Sequence, residues 1–217
     1  MTEANRKHRS FAICTLVALT LSACIDNSEE IEVVQQGDTL DVFGAIDART
    51  VHILRDAKAA APEVTTLRLV NIPGSLDDEA SLTGLAAFVK EEKLAIVVPS
   101  DGIVASGGTD MAVMSLDRVI ENGACVGVHS WGGGGVFGST SGADAPRDDP
   151  QHQLYLDFYK TVDVPEELYW FTLEAAGPDG IHWMSPEEIN RFNLSNVPLD
   201  ETISETARER RLRCDQR

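Results

Sequence analysis

Three short stretches of this chain put reactive side chains where the backbone can assist them. Ala105-Ser106-Gly107-Gly108 follows a strand-like run and opens a helix. Ser106 therefore stands at a helix N-terminus, where unpaired N–H groups and the helix dipole favour negative charge. Gly107 and Gly108 leave room for a substrate beside it. Val126-Gly127-Val128-His129 ends another strand on a histidine, the side chain that gains and loses a proton near neutral pH. Leu69-Val70-Asn71-Ile72-Pro73-Gly74-Ser75 runs a strand into a Pro-Gly turn and then a helix. A serine and a histidine are the materials of nucleophilic acyl transfer. Taken singly, each stretch has an ordinary structural use: a serine in a glycine-rich turn caps a helix, and a strand-end histidine is a satisfied polar residue.

The elements that must position these residues follow from periodicity. Thr39–Phe43 and Thr65–Val70 alternate as strands, and Leu94–Val98 is a continuous apolar run of the kind buried on both faces. Arg118–Ile120 and Cys125–His129 are further short strands. Between them, Ala48–Ala60 and Asp77–Glu91 carry helical spacing, and Ala105–Met114 is small and apolar, suiting a buried helix. The order β-α-β-α-β-α-β argues for a mostly parallel sheet with right-handed crossovers. Gly132–Pro150, with four glycines at its start, reads as a mobile loop. Helices resume at Gln151–Thr161, Pro165–Ala175 and, after the N-cap-like Ser185, Pro186–Phe192. A charged, solvated helix over Glu201–Arg213 closes the chain.

In this order the three stretches resemble the Clp protease proteolytic subunit and its relatives in the Clp/crotonase superfamily. Those proteins run strand, Ser-Pro-Gly-Gly, helix, strand, Ala-Ser-x-Gly, helix, Arg, strand, Ile-His-x-Pro. The resemblance spans Thr39 to Asn196 and is nearest to a periplasmic branch with a Gly-Val-His ending. It implies an α/β fold, a Clp/crotonase-like repeated β-β-α spiral with a mostly parallel sheet and flanking helices. It also implies a serine hydrolase of peptidase type. Ser106 takes the nucleophile's place and His129, 23 residues on, takes the base's place. Backbone N–H groups around Gly74 or Ser75, and at Gly107, would hold the oxyanion.

Two departures matter. Ile72-Pro73-Gly74-Ser75 stands where the family has Ser-Pro-Gly-Gly, so Ser75 can serve only if its backbone does not need positive φ. The family's orienting aspartate aligns with Ile181; Asp179, two residues earlier, is the candidate third member, with Asp163 or no acid at all as alternatives. The competing reading is a non-catalytic envelope protein that uses the same fold for binding or assembly. Crotonase-type acyl-CoA chemistry fits the fold but neither the compartment nor the residues. Family members oligomerise through the region after His129, so the resemblance implies a homo-oligomer.

Other features take blander readings. Relatives with a Ser-Lys dyad place the lysine in the loop after the strand of His129, and Trp131–Tyr159 contains none. His129, His152, His182, Asp148 and Asp149 include no tight His-x-x-x-His pair, so neither a metal nor any other cofactor is expected. Gly132–Gly135 lacks the lysine and helix start of a phosphate loop. Tyr169, Trp170, Phe171 and Trp183 read as core or interface.

The chain's start reads as an address. Arg6, Lys7 and Arg9 precede the apolar Phe11–Ser22, which is too short to span a bilayer and reads as a secretory signal. It ends in Leu21-Ser22-Ala23-Cys24, which resembles a bacterial lipobox. This implies cleavage before Cys24 and diacylglycerol on its sulfur. Ile25 does not match the inner-membrane retention signal, so the outer membrane of a Gram-negative cell is implied, facing the periplasm. The expected organisation is a signal at 1–23, a polar, partly disordered tether at 24–36, one domain at 37–200 and the charged helix or tail at 201–217. About 193 residues follow Cys24, enough for one domain with a proper core. The first 23 residues hold one acid and three bases, so removing them takes the formal net charge from −17 to −19. That acidity excludes a phosphate backbone as partner, hence nucleic acid. Cys125 and Cys214 could pair in an oxidising compartment; a buried thiol and an exposed one is the alternative.

Overall fold

The computed structural model describes residues 30–78, 80–135 and 138–217. The leader and Cys24 lie outside the described residues. Strands β1 (Glu32–Gln36) and β2 (Thr39–Phe43) form an antiparallel hairpin. The expected tether thus ends before Glu32, because Val33 packs on the core while the polar residues around it face out. Helix α1 (Thr50–Ala60) buries Leu54 and stops short of Pro62, which cannot continue a helix. Strand β3 (Thr66–Ile72) follows, with Leu67, Leu69 and Ile72 fully buried. A six-residue π-wound turn, Ala80–Leu85, leads into α2 (Ala86–Glu92). Then come β4 (Ala95–Val98), β5 (Ile103–Ala105), α3 (Gly107–Ala112), β6 (Arg118–Ile120) and β7 (Cys125–Val128).

The sheet runs β1-β2-β3-β5-β7 and ends on β10 (His182–Trp183), antiparallel to β7. Strand β3 is shared. Its first half pairs with β4 at Thr66–Arg68, and its last two residues pair with β5. Strand β6 extends the β4 side, and the pairs inside these edges are parallel. This is the spiral of a mostly parallel sheet with flanking helices that the sequence implies. Asp41, 3% exposed, ties the first strands together. Arg68 donates to both of its carboxylate oxygens at 2.7 Å, and Gln36 donates at 2.9 Å.

Two segments differ from expectation. The glycines after His129 form strand β8 (Gly132–Gly135), paired antiparallel with β9 (Gly138–Ser141). Ladder hydrogen bonds come from backbone, so four glycines can be a strand although no side chain announces one. Short 3₁₀ turns lead from this hairpin to α4 (Gln153–Thr161) and α5 (Glu166–Ala175). Helix α6 (Pro186–Arg191) has a capping box on Ser185. The last helix, α7 (Ala207–Cys214), capped by Thr206, is charged as expected but is not simply solvated. Cys214 is 1% exposed and disulfide-bonded to Cys125 of β7. Trp183 Nε1 donates to Asp215 at 2.8 Å. Among the described residues no helix is long and apolar enough to cross a membrane.

Arg118 joins three helices. Its guanidinium, almost fully buried, donates at 2.9 Å to Ser115 O beyond α3, to Val162 O at the end of α4 and to Asn193 O beyond α6. Helix C-termini carry partial negative charge, so three of them compensate a buried cation.

Candidate functional site

Strands β5 and β7 lie side by side in parallel, with Ala105 opposite Gly127. Adjacent strands are about 4.8 Å apart, so Ser106 and His129 leave the same sheet end as near neighbours. Gly127 O accepts from Ser106 N–H at 3.0 Å and from Thr109 Oγ1 at 2.7 Å. That carbonyl fixes both the serine and the first turn of α3 two residues before the histidine.

Ser106 is held at φ +54°, ψ −126°. A side chain rarely adopts this backbone, and it costs of order 1–3 kcal/mol. The strain follows from close packing around the turn into α3. A Cβ on Gly108 would stand 2.1 Å from Ile72 O, and one on Gly107 would stand 2.4 Å from Ser75 Cβ. Only glycines let α3 approach β3 this closely, and the serine must turn sharply to reach it.

The Pro73-Gly74-Ser75 turn lies against the serine. A Cβ on Gly74 would be 3.6 Å from Ser106 Cβ and 3.9 Å from its Oγ, and one on Gly107 would be 2.9 Å from Ser75 N. Ile46 N–H donates to Gly74 O, and Leu76 N–H donates to Ile46 O, which pins the turn. Ser75 is not among the residues with positive φ, so a serine occupies that place without strain. Gly107 is the first residue of α3, where the N–H has no intrahelical acceptor. Gly74, Ser75, Gly107 and Ser106 therefore come together.

His129 lies between two clefts. On one side it shares a cavity with Ser106 and Gly107; on the other it meets Pro178, Asp179, Ile181 and Asp215. Its Nδ1 is buried and has no hydrogen-bond partner among the described residues. Asp179 shares the second cleft but is exposed and makes no bond to that nitrogen. Asp163 lies at the end of α4 beside Arg118, with φ +55°. An orphaned buried ring nitrogen costs about 1–3 kcal/mol.

The cavity at Ser106 holds residues that sequence reasoning missed. Asp110 sits one turn along α3 from the serine, and Asp78 comes from just before the π-wound turn. Tyr159 donates to Asp110 Oδ1 at 2.5 Å, and Tyr155 donates to Asp78 Oδ2 at 2.6 Å. Both tyrosines lie on α4 with helical i,i+4 spacing, which puts them on one face; that spacing was the available signal. Burial, with Asp78 close by, pushes the Asp110 carboxyl up to about 7 against the opposing Tyr159 hydrogen bond. Burial also raises both of these tyrosines, and their neighbouring carboxylates add to it. Tyr155 stacks between Trp131 and Tyr169 at interplanar angles of 2° and 15°. Trp131 Nε1 donates to Tyr169 Oη at 2.8 Å. His152 Nε2 meets Pro146 O at 3.0 Å, where only an N–H can bond, so Nδ1 accepts from Tyr169 Oη at 2.6 Å.

No family model and no curated protein matches this chain. Solved structures do. A serine-to-alanine mutant of the 1510-N membrane-bound stomatin-specific protease aligns at 15% identity with TM-score 0.52, covering 75% of this chain and 78% of that one. A lysine-to-alanine mutant of the same protease, in complex with a substrate peptide, aligns at 15% identity with TM-score 0.50 and covers 78% of each chain. The fold is that of the Clp proteases and crotonases. A probable enoyl-CoA hydratase/isomerase from Mycobacterium abscessus overlaps only in part, at 11% identity and TM-score 0.35, over 45% of this chain and 49% of that one. In this fold Ser106 and His129 follow the adjacent parallel strands β5 and β7.

Proposed function

We propose that this protein is an exported lipoprotein carrying a serine hydrolase site of peptidase type. The observation that carries the reading is Ser106, held in strained backbone at the end of β5 beside His129 and the Gly74-Ser75 turn. His129 Nε2 takes the Oγ proton as Oγ bonds to a substrate carbonyl carbon, and the carbonyl oxygen becomes an oxyanion. The N–H groups of Ser75 and Gly107 hold that charge; one such donor contributes roughly 3–4 kcal/mol. The tetrahedral species collapses, the leaving amine takes the proton from His129, and water then releases the acyl group by the reverse route. The stomatin-specific protease structure with its substrate peptide supports a peptide as substrate. The absence of lysine from Trp131–Tyr159 supports histidine as base. Lipid on Cys24 would place the site in the cell envelope, and a disulfide such as Cys125–Cys214 persists in oxidising compartments. A homo-oligomer is part of this reading. The orphaned His129 Nδ1 favours the second reading, a binding protein whose orienting acid is missing.

A fluorophosphonate probe decides between them. Mature protein is expected to be labelled, with Ser106→Ala abolishing the label and His129→Ala slowing it about a hundredfold or more. Asp179→Asn slows it only if that acid comes to Nδ1 in the working enzyme. Folded wild type that stays unlabelled from pH 6 to 9 would establish the binding reading. Wild-type protein should also take up radiolabelled palmitate and fractionate with membranes, and Cys24→Ser should lose both.

A further inference from the structure

The mechanism above uses neither Asp78 nor Asp110, yet both line the cavity that opens at Ser106. A buried carboxylate is either paired with a cation or pushed toward its neutral form, as Asp110 is. Among the described residues, neither carboxylate has an ion-pair partner. Each receives a tyrosine hydroxyl on one oxygen, which orients it without neutralising it. Trp131, Tyr155, Tyr159 and Tyr169, whose ring faces attract cations, give the wall a large aromatic share, beside Thr109, Val128 and Thr172. The cavity measures about 40 Å³, room for about three water-sized groups. That suits a compact ammonium with its last methylenes and is cramped for a planar guanidinium.

We propose that this cavity is the specificity pocket of the site and takes the primary ammonium of a lysine side chain flanking the bond attacked by Ser106. The proposal rests on the reading of Ser106 as nucleophile for its catalytic meaning, but the pocket itself can be tested without catalysis. The ammonium lies between Asp78 and Asp110, and its methylenes pass along the stacked rings. Asp110 must be ionised to take part. The titratable groups around it are Asp78, Tyr155 and Tyr159 of α4, Tyr169 of α5, and His129 after β7. The tyrosines are raised above their usual range and stay neutral. Asp110 gives up its proton near 7, so affinity for the cation rises as pH passes from 6 to 8.

The test uses mature Ser106→Ala protein, titrated by NMR with N-acetyl-lysine amide and with its norleucine counterpart. At pH 8 the lysine compound is expected to bind at least tenfold tighter, and the preference should shrink at pH 6. Asp110→Asn and Asp78→Asn, each keeping an oxygen for its tyrosine, should each cut that preference at least fivefold. Equal binding of the two compounds, or a preference untouched by both variants, would overturn the pocket whatever Ser106 does. Lysine-selective binding by a protein whose wild type resists the fluorophosphonate would keep the pocket and remove the hydrolase. With both intact, wild type should cleave acyl-lysine esters faster than acyl-norleucine esters.

Discussion

At the scale of the residue, Ser106 carries more information in its backbone than in its hydroxyl. Many serines cap helices, but a capping serine has extended backbone and accepts a hydrogen bond from the first turn. Ser185 does this, at φ −80° and ψ 163°, with Glu188 N–H as donor. Ser106 has φ +54°, and its side chain makes no cap bond. It stands where glycine would be comfortable. Ser106→Gly should therefore release strain and stabilise the fold, by about 1 kcal/mol once the extra freedom of glycine in the unfolded chain is subtracted. Differential scanning calorimetry should show a Tm rise of roughly 2–4 °C, while fluorophosphonate labelling disappears. A fall in Tm would mean that the side chain stabilises its own turn, and the strain argument would fail.

At the scale of the element, the site depends on strand ends and helix ends meeting. Gly127 O and the two glycines of α3 bring β5, β7 and the Pro73-Gly74-Ser75 turn within contact. On the other side of α3, Arg118 locks the exits of α3, α4 and α6. Methionine in its place fills similar volume but leaves three carbonyls without their donor. Arg118→Met should cost about 3 kcal/mol or more, because each buried group left unsatisfied costs roughly 1–3 kcal/mol. Urea unfolding of the variant should show this as a lower midpoint at unchanged slope. A loss below about 1 kcal/mol would mean that water replaces the guanidinium without penalty.

At the scale of the whole molecule, Cys125–Cys214 closes a loop with a sequence separation of 89 residues and pins α7 to the strand that leads to His129. Cross-linking ends this far apart removes about 4–5 kcal/mol of unfolded-chain entropy. Cys214→Ala should lower Tm accordingly, and dithiothreitol should lower wild type to the same value. The double variant with Cys125→Ala should not respond to reductant. Wild type that is equally stable with and without reductant would show that non-covalent contacts such as Trp183–Asp215 dock α7 without the cross-link.

Much of this was legible in residue order. The β/α alternation, the glycines after Ser106 and the histidine ending an apolar run depend on local preference and backbone sterics, which short stretches encode. Strand β5 was harder to see, because three residues give no periodicity. The polyglycine hairpin was invisible because its ladder uses no side chains. The tether's end and the docking of α7 were also hidden, since one exposed valine-rich strand and one charged helix gain their places from partners far along the chain. The same reason separates the two halves of the site. Sequence by itself determined that a serine at a helix start and a histidine at a strand end would exist. Only the tertiary structure decided that Asp78, Asp110 and the α4 tyrosines share a cavity with them, and that no described residue hydrogen-bonds His129 Nδ1. Those contacts join elements that are separate in sequence, and which carboxylate lands beside which ring is set by packing rather than by spacing.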